Sequence, residues 1–360
     1  MLAPALPALQ RRVEVTDVVA SALYAGYSFG TMVGFVIGGV AVRRLGVRNV
    51  LLLAMAAHVV ADLTIALSTG ALAVAAARVG QGTASGALWI AVVAAAVAAP
   101  EPQRSKRVGR LVSIYWLGGV VGPVMGLLGG VTRPFLVHAG VAVVVAVAVA
   151  LFVAGGVGQR LDWGGLETLR RRGVVFASVW IALLAMTQGI WYGSFSLRFA
   201  AVFDQSGLVL VYGLMGLGAS AAAAVAAAAY RWGGPSRTVR VGALVAGAPM
   251  VLVALTDVPA LWLIAVTIAG VVFGFAESGA LNVLTRTVPT SLLAALVLYS
   301  QAWAAGYLLG PLVGSSFATL AGWAAPGTFV IVAAALLLKL HAPADPSEAV
   351  PAHSRTRGAP

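Results

Sequence analysis

Runs of roughly 20 apolar residues recur along the whole 360-residue chain. Each is long enough, as a helix, to cross the hydrocarbon core of a bilayer, and inside that core every backbone N–H and C=O must be satisfied within the chain. Hydrophobic residues make up 61% of the sequence and charged residues 9%, against roughly 25% charged in a soluble domain. The polar residues are too few to cover a water-soluble globule. The sequence therefore predicts an all-α polytopic membrane protein.

The apolar runs predict eleven helices, at roughly 15–42, 48–69, 71–99, 108–130, 134–157, 174–198, 206–230, 238–256, 260–286, 291–317 and 323–340. Turn or charge signals separate them, among them "PEPQRSKR", "RWGGPSR" and "TDVPA". The longest break, 158–173, is polar and charged and reads as a linker between two bundles. The formal charge of +12, from 23 Lys and Arg against 11 Asp and Glu, is not read as a nucleic-acid footprint, because the basic residues sit in short loops. One set of alternate loops, with the C-terminal tail, carries eighteen of them and the other only Arg11, Arg12, Arg133 and Arg198. The positive-inside rule puts the first set, and the C-terminus, in the cytoplasm. The N-terminal "MLAPALPALQRR" has no basic stretch ahead of its apolar residues, so no cleaved signal peptide is expected. The absence of cysteine excludes disulfides and thiolate metal sites.

The pattern Gly-x-x-x-Gly-Pro-x-x-Gly occurs twice, at Gly118–Gly126 and at Gly306–Gly314, 188 residues apart. The same ungapped offset pairs Tyr24 with Tyr212, Gly30 with Gly218, Arg43 with Arg231, Gly46 with Gly234, Gly82 with Gly270, Gly86 with Gly274 and Pro123 with Pro311. Two similar halves in the same orientation follow, a parallel repeat with a site expected between them near the membrane midplane. The expected organisation is a bundle over 1–157, the linker over 158–173, a second bundle over 174–340 and a disordered cytoplasmic tail over 341–360. The helix at 174–198 has its counterpart at about −14 to 10, so the first helix of the first bundle is expected to be largely missing. A start codon placed late, a cut chain and a true eleven-helix protein all remain open.

Three stretches carry a resemblance. "GGVAVRRLGVRN" (38–49) matches the loop known as motif A at Gly39, Arg44 and Gly46, with Arg43 in place of the usual acidic residue. "RVGQG" (78–82) resembles motif B through Arg78 and Gly82. "GRLVSIYWLGGVVGPVMG" (109–126) resembles motif C at Gly109, Gly118, Gly122, Pro123 and Gly126. In this order they resemble the major facilitator superfamily (MFS), and motif C is similar to that of its drug/proton antiporters. The resemblance implies the MFS fold of two pseudo-symmetric six-helix bundles. It also implies a secondary transporter of small organic molecules working by alternating access, with proton-coupled efflux as the expected mode. A sugar or metabolite permease of the same superfamily and a degenerate, non-transporting membrane protein are the alternatives. No enzyme activity and no cofactor are expected, with a proton gradient as the energy source. The expected partners are the lipid bilayer, a small-molecule substrate and protons, with no nucleic acid, for a monomer in a bacterial cytoplasmic (inner) membrane.

Ionisable residues inside a membrane helix are costly and mark functional sites. Glu277, in "VVFGFAESGALNVL", is the first candidate for proton coupling, with a structural hydrogen bond as the alternative. Asp62 and Arg78 are expected at the same depth, as a structural ion pair or a proton-coupling pair, and His58 stands one turn from Asp62. The small-residue faces of Gly118, Gly122 and Gly126, and of Gly306, Gly310, Pro311 and Gly314, are expected to pack against neighbouring helices, with gating or simple tight packing as their role. Aromatic and polar residues on helices that line the family's cavity are the substrate candidates: Trp89, Tyr115, Trp116, Gln188, Trp191, Tyr192, Gln301, Trp303 and Tyr307. They suit amphipathic or cationic organic molecules. For Trp191, Tyr192 and Trp262 the alternative is anchoring at the membrane interface.

Overall fold

With no water to bond exposed peptide groups, this chain has one economical solution among its described residues, which form helices and no strand. The computed structural model describes residues 9, 11–15, 17–97, 103–153, 166–230, 233–288 and 292–340. The elements are α1 (Asp17–Leu67), α2 (Ala71–Val97), α3 (Gln103–Gly126), α4 (Thr132–Phe152), α5 (Leu166–Leu169), α6 (Arg172–Tyr192), α7 (Ser194–Ala200), α8 (Gln205–Ala229), α9 (Gly234–Ala246), α10 (Ala248–Leu255), α11 (Pro259–Thr287), α12 (Leu292–Ala321) and α13 (Ala324–Leu337). The predicted tail, the first half of the predicted linker (158–165) and residues 1–8 and 10 of the expected first-helix end lie outside the described residues.

At 51 residues, α1 would be about 75 Å long if straight, far beyond one crossing. It breaks at Gly46, whose φ of 79° and ψ of 162° are not helical and suit only glycine. Contacts with α2 show the result. Gly30, Gly34 and Gly38 lie against Val79, Thr83 and Ala87, the two numbers rising together, so the first arm runs parallel to α2. Past Gly46, His58 meets Ser85 and Asp62 meets Gln81, the numbers now running oppositely. The chain therefore reverses at Gly46, and α1 is the two predicted helices joined by a tight corner. Among the described residues nine helical stretches are long and apolar enough to cross a membrane, with α1 counted once and α9 with α10 as one, and α13 is a shorter apolar helix.

The offset of 188 is repeated in the packing. A Cβ on Gly82 would lie 2.0 Å from the Tyr27 carbonyl oxygen, and one on Gly270 2.1 Å from that of Met215. Gly86 faces Thr31 in the same way, and Gly274 faces Ala219. Each of these four contacts maps onto its counterpart by the same shift. Gly46 and Gly234 both have positive φ. Contacts between the halves follow the shift too. Ser113 Oγ lies 3.0 Å from Ser220 Oγ, and Gln301 Nε2 donates to the Met32 carbonyl at 2.6 Å. Position 301 is the counterpart of 113, and 220 that of 32.

Four expectations are corrected. Helix α3 begins at Gln103, not near 108, because Ser105, Val108, Gly109 and Val112 form a buried stripe at helical spacing that the surrounding charges obscure. The predicted 174–198 helix divides into α6 and α7 at Gly193, where the ring of Pro311 crowds the backbone. The predicted 238–256 helix divides into α9 and α10 at Gly247, just before Pro249, whose ring nitrogen has no proton to donate. Within the predicted linker, Leu166–Leu169 is a single helical turn and α6 starts at Arg172.

Basic residues at helix corners and starts also close the ends of neighbouring helices. Arg48 donates to the Ala150 carbonyl at 2.8 Å, Arg104 to that of Thr285 at 3.3 Å and Arg171 to that of Thr287 at 3.3 Å, all in the last turn of a neighbouring helix, where the carbonyls have no donor within their own helix. At the other terminus, Asp204 caps α8. Its carboxylate accepts from Gly207 N at 2.8 Å and from Ser206 Oγ at 2.7 Å, and these bonds hold the carboxyl below its ordinary value. Protection from the cap is complete at neutral pH and is lost as the pH falls through that lowered value. Asp204→Ala is expected to fray the first turn of α8, read as faster amide exchange at residues 206–208 with the rest of the helix unchanged.

Candidate functional site

Polar side chains are collected inside. Asp62, Arg78, Gln81, Gln188, Glu277 and Asn282 are all buried, while α4 turns Val143, Val144, Val147 and Leu151 outward. Glu277, on α11, is 2% exposed. Its Oε2 accepts from the indole Nε1 of Trp116, on α3, at 2.9 Å. No Lys or Arg forms an ion pair with it among the described residues. Gln188, on α6, stands beside the carboxylate, but its Nε2 is buried without a partner. An ionised carboxylate can accept about four hydrogen bonds. Here one donor is engaged and a second is close, so the charge is poorly compensated in a dry surrounding.

Trp116 also stacks on Phe273, one turn before Glu277, with ring centroids 6.0 Å apart and planes 3° from parallel. Its indole is thus held from both directions by α11, the stack fixing the plane and the carboxylate fixing the edge. This contact joins the first half to the second. The donor from the opposite half is what the local sequence did not display.

From this point a string of rings crosses the molecule. Trp89 lies 5.3 Å from Tyr115, Tyr115 lies 6.4 Å from Trp303, Trp303 stacks on Tyr307 at 5.4 Å, and Tyr307 meets Tyr192 at 6.2 Å. Tyr115 also meets Trp116 edge-on at 5.9 Å. These five rings are all at least partly exposed, whereas Trp116 is buried. Trp89, Tyr115, Trp116, Gln188, Tyr192, Trp303 and Tyr307 thus form one connected region on α2, α3, α6 and α12.

Two predicted members stand elsewhere. Trp191 is fully buried against Phe195 and Phe199 and takes no part in the string. Trp191 directly precedes Tyr192, and adjacent positions on a helix do not share a face, so the two residues of α6 meet different neighbours. Gln301 spends its amide on the Met32 carbonyl, bridging the halves. Trp262 is no interfacial anchor: it is 1% exposed and donates to the Thr256 carbonyl at 2.7 Å. Tyr299, which has no local signal inside its apolar run, is buried near Glu277, and its hydroxyl has no partner among the described residues.

A second polar group lies in the first half. The expected Asp62–Arg78 pair is indirect: Arg78 donates to Gln81 Oε1, and Gln81 Nε2 donates to Asp62 Oδ1 at 2.6 Å. Arg78 also sits over the ring of Tyr27 at 4.8 Å. The direct partner of Asp62 Oδ2 is His138 Nδ1, on α4, at 2.6 Å, a residue 76 positions away that no local pattern linked to it.

The glycine faces differ between halves. Gly306 and Gly310, on α12, press on the carbonyls of Ala182 and Met186, on α6, and Gly314 presses on Ser194. Among the described residues nothing lies within 4 Å of a Cβ placed on Gly118, so the expected packing of this face is not seen there. Gly109 instead contacts the Ala223 carbonyl of the other half. In the loop, Gly39 and Gly46 are buried and Arg43 and Arg44 exposed. Gly122 and Pro123 are half-buried near the end of α3, which closes at Gly126.

The model of the Major Facilitator Superfamily matches residues 1–295. The chain belongs to the major facilitator superfamily. Its fold agrees with that of solved members. One similar structure is described as the human organic anion transporter MFSD10 (TETRAN), at a TM-score of 0.76 and 17% identity, covering 93% of this chain and 88% of that one. Another is the MFS transporter FucP in the outward conformation, at a TM-score of 0.71 and 12% identity, covering 94% of this chain and 92% of that one. No curated protein matches the sequence significantly. The MFS chain is thus a multi-pass membrane protein of a transporter family, and identities this low speak for the fold alone.

Proposed function

We propose that this MFS protein exports small aromatic organic cations across a bacterial cytoplasmic membrane, its C-terminus inside, in exchange for protons. The observation that carries the reading is the Glu277–Trp116 hydrogen bond across the two halves. Taking up a proton removes the charge that the indole serves, so protonation and the contact between halves are coupled at one atom pair. Alternating access needs such a link, because a proton can drive the change only by interacting differently with its two states. The string from Trp89 to Tyr192 supplies π-faces for a flat cation beside a carboxylate.

The test uses the full-length wild-type protein in inverted membrane vesicles with an imposed pH gradient, acid inside, reported by a pH-sensitive dye. Addition of ethidium is expected to dissipate the gradient, with no effect in vesicles lacking the protein. Dissipation by a neutral sugar or an organic anion, but not by ethidium, would reassign the substrate class to a permease. No response to any of the three would support a protein that has lost transport.

A further inference from the structure

The proton-coupling reading uses Glu277 and leaves aside a compact group in the first half. His58 and Asp62 lie one turn apart on the second arm of α1, and His138 faces them from α4. One ligand atom from each lies within 4.8 Å of the other two. The histidine rings meet edge-on with centroids 5.7 Å apart. We propose that His58, Asp62 and His138 bind a first-row divalent transition-metal ion, with Zn²⁺ as the representative ion.

Four features support the assignment. The donor set is two imidazoles and one carboxylate, which suits zinc and its neighbours; magnesium and calcium require more oxygen ligands. The separations are close to what is needed, since tetrahedral zinc with bonds near 2.0–2.2 Å sets its ligand atoms about 3.3 Å apart. His138 Nδ1 and Asp62 Oδ2, now 2.6 Å apart, open slightly as the ion replaces the proton they share. That proton passes to the other ring nitrogen or to solvent.

The buried His58 is 8% exposed and leaves Nδ1 without a partner, so its ring has a nitrogen to spare while Nε2 lies 3.1 Å from Ser85 Oγ. Finally, two of the ligands already have supporting bonds of the kind that orient metal ligands. Asp62 Oδ1 accepts from Gln81, itself held by Arg78. Ser85, beside His58, accepts from Tyr27 Oη at 2.9 Å. His138 is one-third exposed and provides the route of entry. Three protein ligands leave a fourth position for water. A bound ion would tie α4 to the second arm of α1, one turn below the last-turn carbonyls of Ile65 and Ala66 that Arg12 grips.

The experiment is calorimetric titration of Zn²⁺ into the purified, tag-free, chelator-stripped protein in detergent, with Mg²⁺ and Ca²⁺ as controls. One Zn²⁺ per chain is expected, and neither control ion should bind. His138→Gln, at a partly exposed position, should weaken binding by about 10- to 100-fold while the protein keeps its elution volume, and His58→Gln should do the same. Replacing Zn²⁺ by Co²⁺ should give the intense visible absorption of a tetrahedral site, lost in both variants. Failure of the wild type to take up Zn²⁺ would overturn the assignment. So would uptake unchanged in both variants, since that ion would reside on the tail histidines His341 and His353.

Discussion

Glu277→Gln is expected to leave a folded transporter that no longer responds to a pH gradient. Glutamine preserves the shape of the side chain, and its carbonyl oxygen still accepts from Trp116 Nε1, now 2.9 Å from Oε2. What it cannot do is gain or lose a proton. Gradient-driven ethidium movement in vesicles should fall at least about tenfold, a difference of about 1.4 kcal/mol in the driving step. Exchange of labelled for unlabelled dye without a gradient should persist, because it requires the halves to move but no net proton transfer. Gradient-driven transport that survives unchanged would remove Glu277 from the coupling. Trp116→Phe separates the two parts of the contact. It keeps an aromatic ring for Phe273, 6.0 Å away, and withdraws the indole donor from the carboxylate, so the pH dependence of transport should shift while transport itself remains.

The second large effect is a contrast between two glycines that the repeat makes equivalent. Gly306→Ala places a Cβ 2.1 Å from the Ala182 carbonyl oxygen. Helices α6 and α12 must separate, at a cost of about 1–3 kcal/mol, as for other overpacked sites. Gly118→Ala meets nothing within 4 Å among the described residues and removes a glycine from a helix interior, a gain of up to about 1 kcal/mol. Thermal unfolding in detergent should therefore move in opposite directions for the two variants. Equal destabilisation would show that another helix covers the Gly118 face in the membrane. The two outcomes differ because lipid-buried helices associate by close backbone approach, with little help from the hydrophobic effect. A glycine matters there only when a partner is seated on it.

The legibility of the fold varies with the range of the interaction. Gly46 was readable as a loop glycine from "RRLGVRN" alone, since its backbone conformation is local. The offset of 188 was readable because the two halves carry matched glycines, and the packing of Gly82 on Tyr27 and of Gly270 on Met215 obeys it. The start of α3 at Gln103 is not legible in the sequence, because the charges of "QRSKR" resemble a loop; a basic turn at the interface stays helical when its small and apolar residues share a stripe. Glu277, Asp62 and Arg78 stood out as ionisable residues in apolar runs. His138 and Tyr299 did not, because a lone polar residue in an apolar run becomes informative only when its neighbour from another helix is known.

The amino-acid sequence by itself determined the solvent of this protein, its helical class, its two-fold repetition and the few positions where charge enters the membrane. These follow from composition and spacing, which act along the chain. The partner of each buried group was decided only by the tertiary structure. Periodicity says which face of a helix is small or polar, but the rotation and neighbour of that face are set by all the other helices together. Trp116 reaches Glu277 across 161 positions, and His138 reaches Asp62 across 76. Both pairings arise where helices from distant parts of the chain pack side by side, because a polar group withdrawn from water needs a partner wherever the fold brings one.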